Sequence, residues 1–148
     1  MKKNEMSSMY FIKNEVLYLI PQTFCKSLGN AIIDVDHVLE LKLPTSENEL
    51  YAKLQECFSL CCTHKVKEFP KGLSVMAKYI GAKTEKQVVS KYDFMSLFFD
   101  NKLNKYRLIH DWEKEKNYYL NGIMQYVDEK TLLSFILNII QDKKNITL

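Results

Sequence analysis

Met9-Tyr10-Phe11-Ile12-Lys13-Asn14-Glu15-Val16-Leu17-Tyr18-Leu19-Ile20 is the stretch whose reading decides the fold. Two short runs of apolar, aromatic and β-branched residues flank a polar break at Lys13-Asn14. Such runs favour extended backbone paired across a tight turn. Asn14 tolerates the left-handed conformation that the turn needs. The stretch therefore predicts an antiparallel hairpin, with Pro21 ending its second strand.

Working outward, Val35–Leu43 alternates in part between apolar and polar residues and predicts a half-buried strand that Pro44 ends. Ser46-Glu47-Asn48-Glu49 has the form of a capping box: Ser46 can accept from the free amides of a helix start, and Glu49 can bond back. Leu50, Leu54, Cys57, Phe58 and Cys61 follow at helical spacing, so a helix is expected over 47–62. Leu73–Ile80 predicts a shorter helix closed by Gly81, and Thr84 with Gln87 predicts one more capped turn. Tyr92–Phe99, Lys105–Trp112 and Asn117–Leu120 are aromatic-rich and separated by polar breaks, which predicts a meander. Gly122 allows a turn before a last strand at Ile123–Val127. Asp128 then caps a helix whose apolar face is Leu132, Leu133, Ile136, Ile139 and Ile140. Clustered strands with short connections predict an α+β fold: a mainly antiparallel sheet with an N-terminal hairpin and a C-terminal-half meander, flanked by a few helices.

The 148 residues suit a single domain, 1–148, and 47% hydrophobic residues suffice for one core. Residues 1–7 and 143–148 are polar and aperiodic and are expected to be flexible. The net charge of +3 is too mild to imply a nucleic-acid partner, and of 21 Lys and Arg residues only Arg107 carries the planar fork suited to phosphate and guanine. The Lys-rich, then polar N-terminus lacks the apolar segment of a secretory signal. The four cysteines, Cys25, Cys57, Cys61 and Cys62, are therefore expected to be reduced thiols in a cytoplasmic protein. No apolar run approaches the roughly 20 residues that span a bilayer. No membrane, small-molecule or cofactor partner is expected.

Reactive centres are hard to build from this sequence. Cys57, Cys61 and His64 stand at i, i+4 and i+7, which suits zinc in principle. The same face carries Leu50 and Leu54, so cysteines packed as small hydrophobes are the simpler expectation. The glycines Gly29, Gly72, Gly81 and Gly122 are too scattered for a phosphate loop. His37 and His110 could serve a ribonuclease-like site with a carboxylate. His110 and Asp111 are neighbours, however, and on a strand their side chains would point apart. A small histidine/carboxylate hydrolase or nuclease, or a nucleic-acid-binding regulatory adaptor, thus stand as alternatives to a binding protein without catalysis.

Binding surfaces are easier to find. Trp112, the single tryptophan, sits in Asp111-Trp112-Glu113-Lys114-Glu115. An aromatic ring ringed by charge often anchors an interface. Asp111, Trp112, Glu113 and Glu115 are the first candidate patch for a partner. Asp34 and Asp36, flanking Val35 and expected on one strand face, are the second.

The order of elements carries a resemblance. A strand and acidic cap lead into the helix that ends Phe58-Ser59-Leu60-Cys61. A short helix, Leu73-Ser74-Val75-Met76-Ala77-Lys78-Tyr79, precedes Gly81-Ala82-Lys83-Thr84 and an aromatic meander, and a capped helix, 128–140, closes the chain. This pattern resembles the immunity proteins of bacterial contact-dependent growth inhibition systems, the CdiI family. The resemblance implies a cytoplasmic protein that binds the toxic C-terminal domain of an effector, occludes its active site and performs no chemistry. Inhibitors of basic toxins are often acidic, because opposite charge speeds encounter. A chain of net charge +3 must concentrate its carboxylates locally or meet a toxin that is not strongly basic.

Overall fold

A computed structural model of the chain describes residues 4–62, 66 and 70–141. The hairpin that the opening stretch predicts forms the middle of the structure. Strands β1 (Met6–Ile12) and β2 (Val16–Cys25) pair antiparallel from Ile12↔Val16 to Ser7↔Pro21. Asn14 takes φ 61° at the turn between them. The sheet then grows on both sides. β3 (Ala31–Asp34) and β4 (Leu39–Lys42) both pair with the outer edge of β2. On the other side the order is β1, β5 (Asp93–Asp100), β6 (Lys105–His110) and β9 (Ile123–Val127), each pair antiparallel. Two further strands, β7 (Glu113–Glu115) and β8 (Tyr118–Leu120), make a separate two-stranded hairpin. The architecture is α+β with a mainly antiparallel seven-stranded sheet.

Helices cover the two faces unequally. α1 (Glu47–Ser59) and α4 (Glu129–Ile140) pack on one face, where Leu50, Leu54, Ile136 and Ile140 meet Met9, Leu17, Leu19, Met95, Leu97 and Leu108, all nearly or fully buried. Period-2 strands against period-3.6 helices make this layer continuous. The opposite face carries the short helices α2 (Val75–Ile80) and α3 (Glu85–Lys91). There Met76, Ala77 and Val88 bury Tyr10, Ile20 and Tyr92.

The capping box at α1 is complete: Ser46 Oγ accepts from Glu49 N at 3.1 Å, and the Glu49 carboxylate accepts from Ser46 N at 3.4 Å. Gly81 closes α2 in the left-handed region at φ 71°. Other expectations need correction. Met6 and Ser7 are not loose, being 1% and 0% exposed within β1; residues 1–3 and 143–148 lie outside the described residues. Pro21 does not end β2. Its carbonyl accepts from Val35 N at 2.8 Å, so its ring nitrogen faces the gap between the β4 and β3 pairings, where no ladder donor is needed. Of the strand expected over 35–43 only Leu39–Lys42 forms, as β4, and a separate strand, β3, precedes it at Ala31–Asp34. α1 ends at Ser59, short of Cys62, which takes φ 59°. α2 begins at Val75, with Ser74 as its cap. β6 stops at His110 and pairs directly with β9, so the expected strand around 117–120 leaves the meander as the β7–β8 hairpin.

Candidate functional site

The face opposite α1 and α4 holds the sites worth weighing. At its centre four rings pack together. Phe94 lies 4.9 Å from Tyr10, 5.0 Å from Tyr119 and 5.7 Å from Trp112, centroid to centroid. The alternation of β1 and β5 aims Tyr10 and Phe94 to this side. The β7–β8 hairpin folds over them and adds Tyr119, whose hydroxyl donates to the carbonyls of Tyr92 at 2.8 Å and Val88 at 3.3 Å. Lys114, opposite Tyr119 in the hairpin, reaches Asp93 at 3.4 Å. The inner face of the hairpin is thus anchored.

Its outer face is not. With Lys114 and Tyr119 turned inward, alternation turns Glu113, Glu115, Tyr118 and Leu120 outward. Tyr118 is 63% and Leu120 43% exposed, and Met124 and Tyr126 of β9 follow at 53% and 42%. Registered pairs Glu113↔Leu120 and Glu115↔Tyr118 therefore set two carboxylates beside two apolar side chains on one exposed ribbon.

The first candidate patch is divided by this geometry. Glu113 and Glu115 stand on the outer ribbon, Glu113 accepting from Asn121 Nδ2 at 2.6 Å. Trp112 is half-buried and committed inward: its Nε1 donates to the Ile109 carbonyl at 3.1 Å, and Gly122 lies so close that a Cβ there would sit 2.6 Å from the ring. Trp112 and Asp111 line a cleft of about 230 Å3 with Lys13, Asp93 and Lys114, on the inner side of the hairpin.

Asp111 corrects the expectation that its side chain and that of His110 diverge. It takes φ 51°, leaving strand geometry, and its carboxylate returns to 3.1 Å from His110 Nδ1. This contact does not open a reactive site. His110 is 7% exposed, its Nε2 is bonded to the Gln125 side-chain oxygen, and Phe135 of α4 stands edge-on against its ring at 5.6 Å. His37 is exposed between β3 and β4, with β2, β1 and β5 separating it from β6, so the two histidines do not converge.

The second candidate patch separates as well. β3 ends at Asp34, and Asp36 lies exposed in the bend beyond it. Asp34 is part-buried and accepts from Ser8 Oγ at 2.7 Å and Gln22 Nε2 at 3.1 Å. Burial pushes its carboxyl above the usual carboxylate range, and these two hydrogen bonds offset only part of that.

The thiols belong to the core. Cys57 donates to Ser7 Oγ at 3.4 Å and Cys61 to the Met6 carbonyl at 2.9 Å. Burial pushes the Cys57 thiol up to about 12 and raises Cys61 and Cys62 as well, which opposes thiolate chemistry. His64 lies outside the described residues.

Comparison with known proteins adds little beyond the fold. No family model and no curated protein matches the chain. A solved structure is similar along nearly its whole length: a protein of unknown function from Neisseria meningitidis, NMB0488. It has a TM-score of 0.58 and 6% identity, and the match covers 97% of this chain and 98% of that one. At that identity the likeness shows the fold alone. No helix among the described residues is long and apolar enough to cross a membrane.

Tyr118 and Leu120, exposed on the same ribbon as Glu113 and Glu115, are candidates that the sequence reading did not single out. The signal was present: once a turn is placed at Lys116-Asn117, where Lys116 takes φ 25°, the register sets them beside Glu115 and Glu113.

Proposed function

We propose that this chain is an immunity-type binding protein: it neutralises a toxic protein domain by covering that domain's active site with a rigid surface, in the cytoplasm and without chemistry of its own. The observation that carries the reading is the outer ribbon of the β7–β8 hairpin. Two carboxylates and two exposed apolar side chains share it, and Tyr119 and Lys114 hold it against the sheet from behind. An anchored ribbon loses little freedom on binding, and a mixed aromatic and acidic face suits a partner with basic groups around an apolar recess. The local carboxylates also answer the problem of charge: a chain of net charge +3 can still meet a basic site through Glu113 and Glu115.

The resemblance to contact-dependent growth inhibition immunity proteins supplies the kind of partner. The test is growth protection. Cells expressing the toxin domain encoded beside this chain survive when the chain is co-expressed. They lose protection when Glu113→Lys and Glu115→Lys are introduced together. Absence of protection by the unaltered chain, with both proteins soluble, refutes the reading.

A further inference from the structure

A second cleft on the same side of the sheet, of about 430 Å3, lies apart from the hairpin ribbon. Its floor is Ser8 and Tyr10 of β1, Gln22 of β2 and Asp34 of β3, and its wall comes from α2 and Glu85 at the start of α3. Volume and mixed lining are those of a small-ligand site. Asp34 uses Oδ1 to accept from Ser8 and Gln22, and no described residue bonds its Oδ2. Glu85 accepts from Ser74 N and Ser74 Oγ, both at 2.7 Å. Every one of these donors is neutral. Two carboxyl groups therefore line one cleft, and among the described residues neither forms an ion pair, Lys78 on the rim included.

The rings complete the chemistry. Tyr10 and Phe94, 4.9 Å apart and tilted by 44°, line the same cleft. Aromatic faces and carboxylates both attract positive charge, and they attract it most where water is partly excluded. A divalent metal would need several oxygen ligands converging in one shell, and no group of three acidic, histidine or cysteine residues fit to hold a metal occurs among the described residues. An anion meets repulsion from Glu85 and displaces no proton from Asp34. A neutral apolar molecule would bury Asp34 further with nothing to balance it.

We propose that this cleft binds an organic cation, an alkyl guanidinium or ammonium group, whose charge is met by Asp34 Oδ2 with Glu85 adding negative potential and whose carbon stem lies along Tyr10 and Phe94. Burial has already raised the Asp34 carboxyl, so binding the cation releases a proton and tightens as pH rises through the folded-state value. The site shares no side chain with the outer ribbon, so it stands or falls separately from the proposed function.

Calorimetric titration of the full chain with agmatine tests it, with N-butylurea, which has the same four-carbon stem but no charged group, as control. Agmatine binds saturably with a dissociation constant on the order of 1 mM, and butylurea does not. Asp34→Asn keeps an acceptor for Ser8 and Gln22, so the fold is retained while affinity falls about tenfold or more. Lys78→Glu, at the exposed rim, strengthens binding roughly threefold and gives a readout independent of any effect on folding. A blocked Gly-Arg-Gly peptide separates the sources: binding shows that a protein side chain can reach the cleft, and silence beside a positive agmatine titration assigns it to a free small cation. Equal binding of agmatine and butylurea, or no saturable binding of agmatine, overturns the proposal.

Discussion

Asp34 shows how one residue sets a pH dependence. Its carboxyl is raised in the folded chain chiefly by burial. The fold therefore favours the protonated form. Its contribution is fully present below the unfolded value and is lost as pH rises through the folded value. Asp34→Asn removes the titration, so the variant gains stability relative to the natural chain over that interval and the difference then levels off. Urea denaturation in steps from roughly pH 3 to 8 measures this; a difference that shrinks with rising pH would be the wrong sign. Gly122 supplies a second test at this scale. A Cβ there would meet Ile109 Cγ2 and the Trp112 ring, each at 2.6 Å. Gly122→Ala is expected to destabilise by about 1–3 kcal/mol and to shift the emission of Trp112, the single tryptophan. Unchanged stability and emission would mean that the ring is not wedged there. Neither effect could be read in advance. Asp34, Ser8 and Gln22 are brought together by sheet register, and Asp111 turns back on His110 only through a left-handed φ of 51°.

Among the elements, legibility followed local chemistry. The β1–β2 hairpin and α1 were readable because their signals are contiguous: alternating apolar runs around Asn14, and a complete capping box at Ser46 and Glu49. The box gives a prediction. Ser46→Ala removes an acceptor that Glu49 N uses, and is expected to lower stability by about 1 kcal/mol. Thr84 stands at the same position of α3 but makes no side-chain cap bond, and Gln87 instead accepts from Lys83 N at 2.6 Å. Thr84→Ala should then change stability by only a few tenths of a kcal/mol, or about 0.3. Equal losses in thermal unfolding of the two variants would contradict this difference. β3 and the passage of β2 through Pro21 were not readable, because both depend on which neighbour pairs at each step. A proline usually ends a strand, yet here it falls where one partner strand has left and the next has not begun.

At the scale of the whole molecule, the sequence order implied α+β, and the sheet confirms it. What order could not convey is that β6 pairs directly with β9, so that the intervening residues form a ribbon laid across the other face. That excursion decides which side chains are offered outward: Trp112, the obvious anchor by composition, is turned in, and Tyr118 and Leu120 are turned out. The central claim is that this ribbon is the working surface. The direct measurement is the dissociation constant of the purified chain for the proposed partner, a toxin domain encoded beside it, with and without Tyr118→Ala. An exposed side chain whose loss leaves the fold intact should, if it anchors the interface, weaken binding by about 2 kcal/mol, close to thirtyfold. Undiminished affinity of Tyr118→Ala and of the Glu113→Lys, Glu115→Lys pair would contradict the assignment of this ribbon as the working surface.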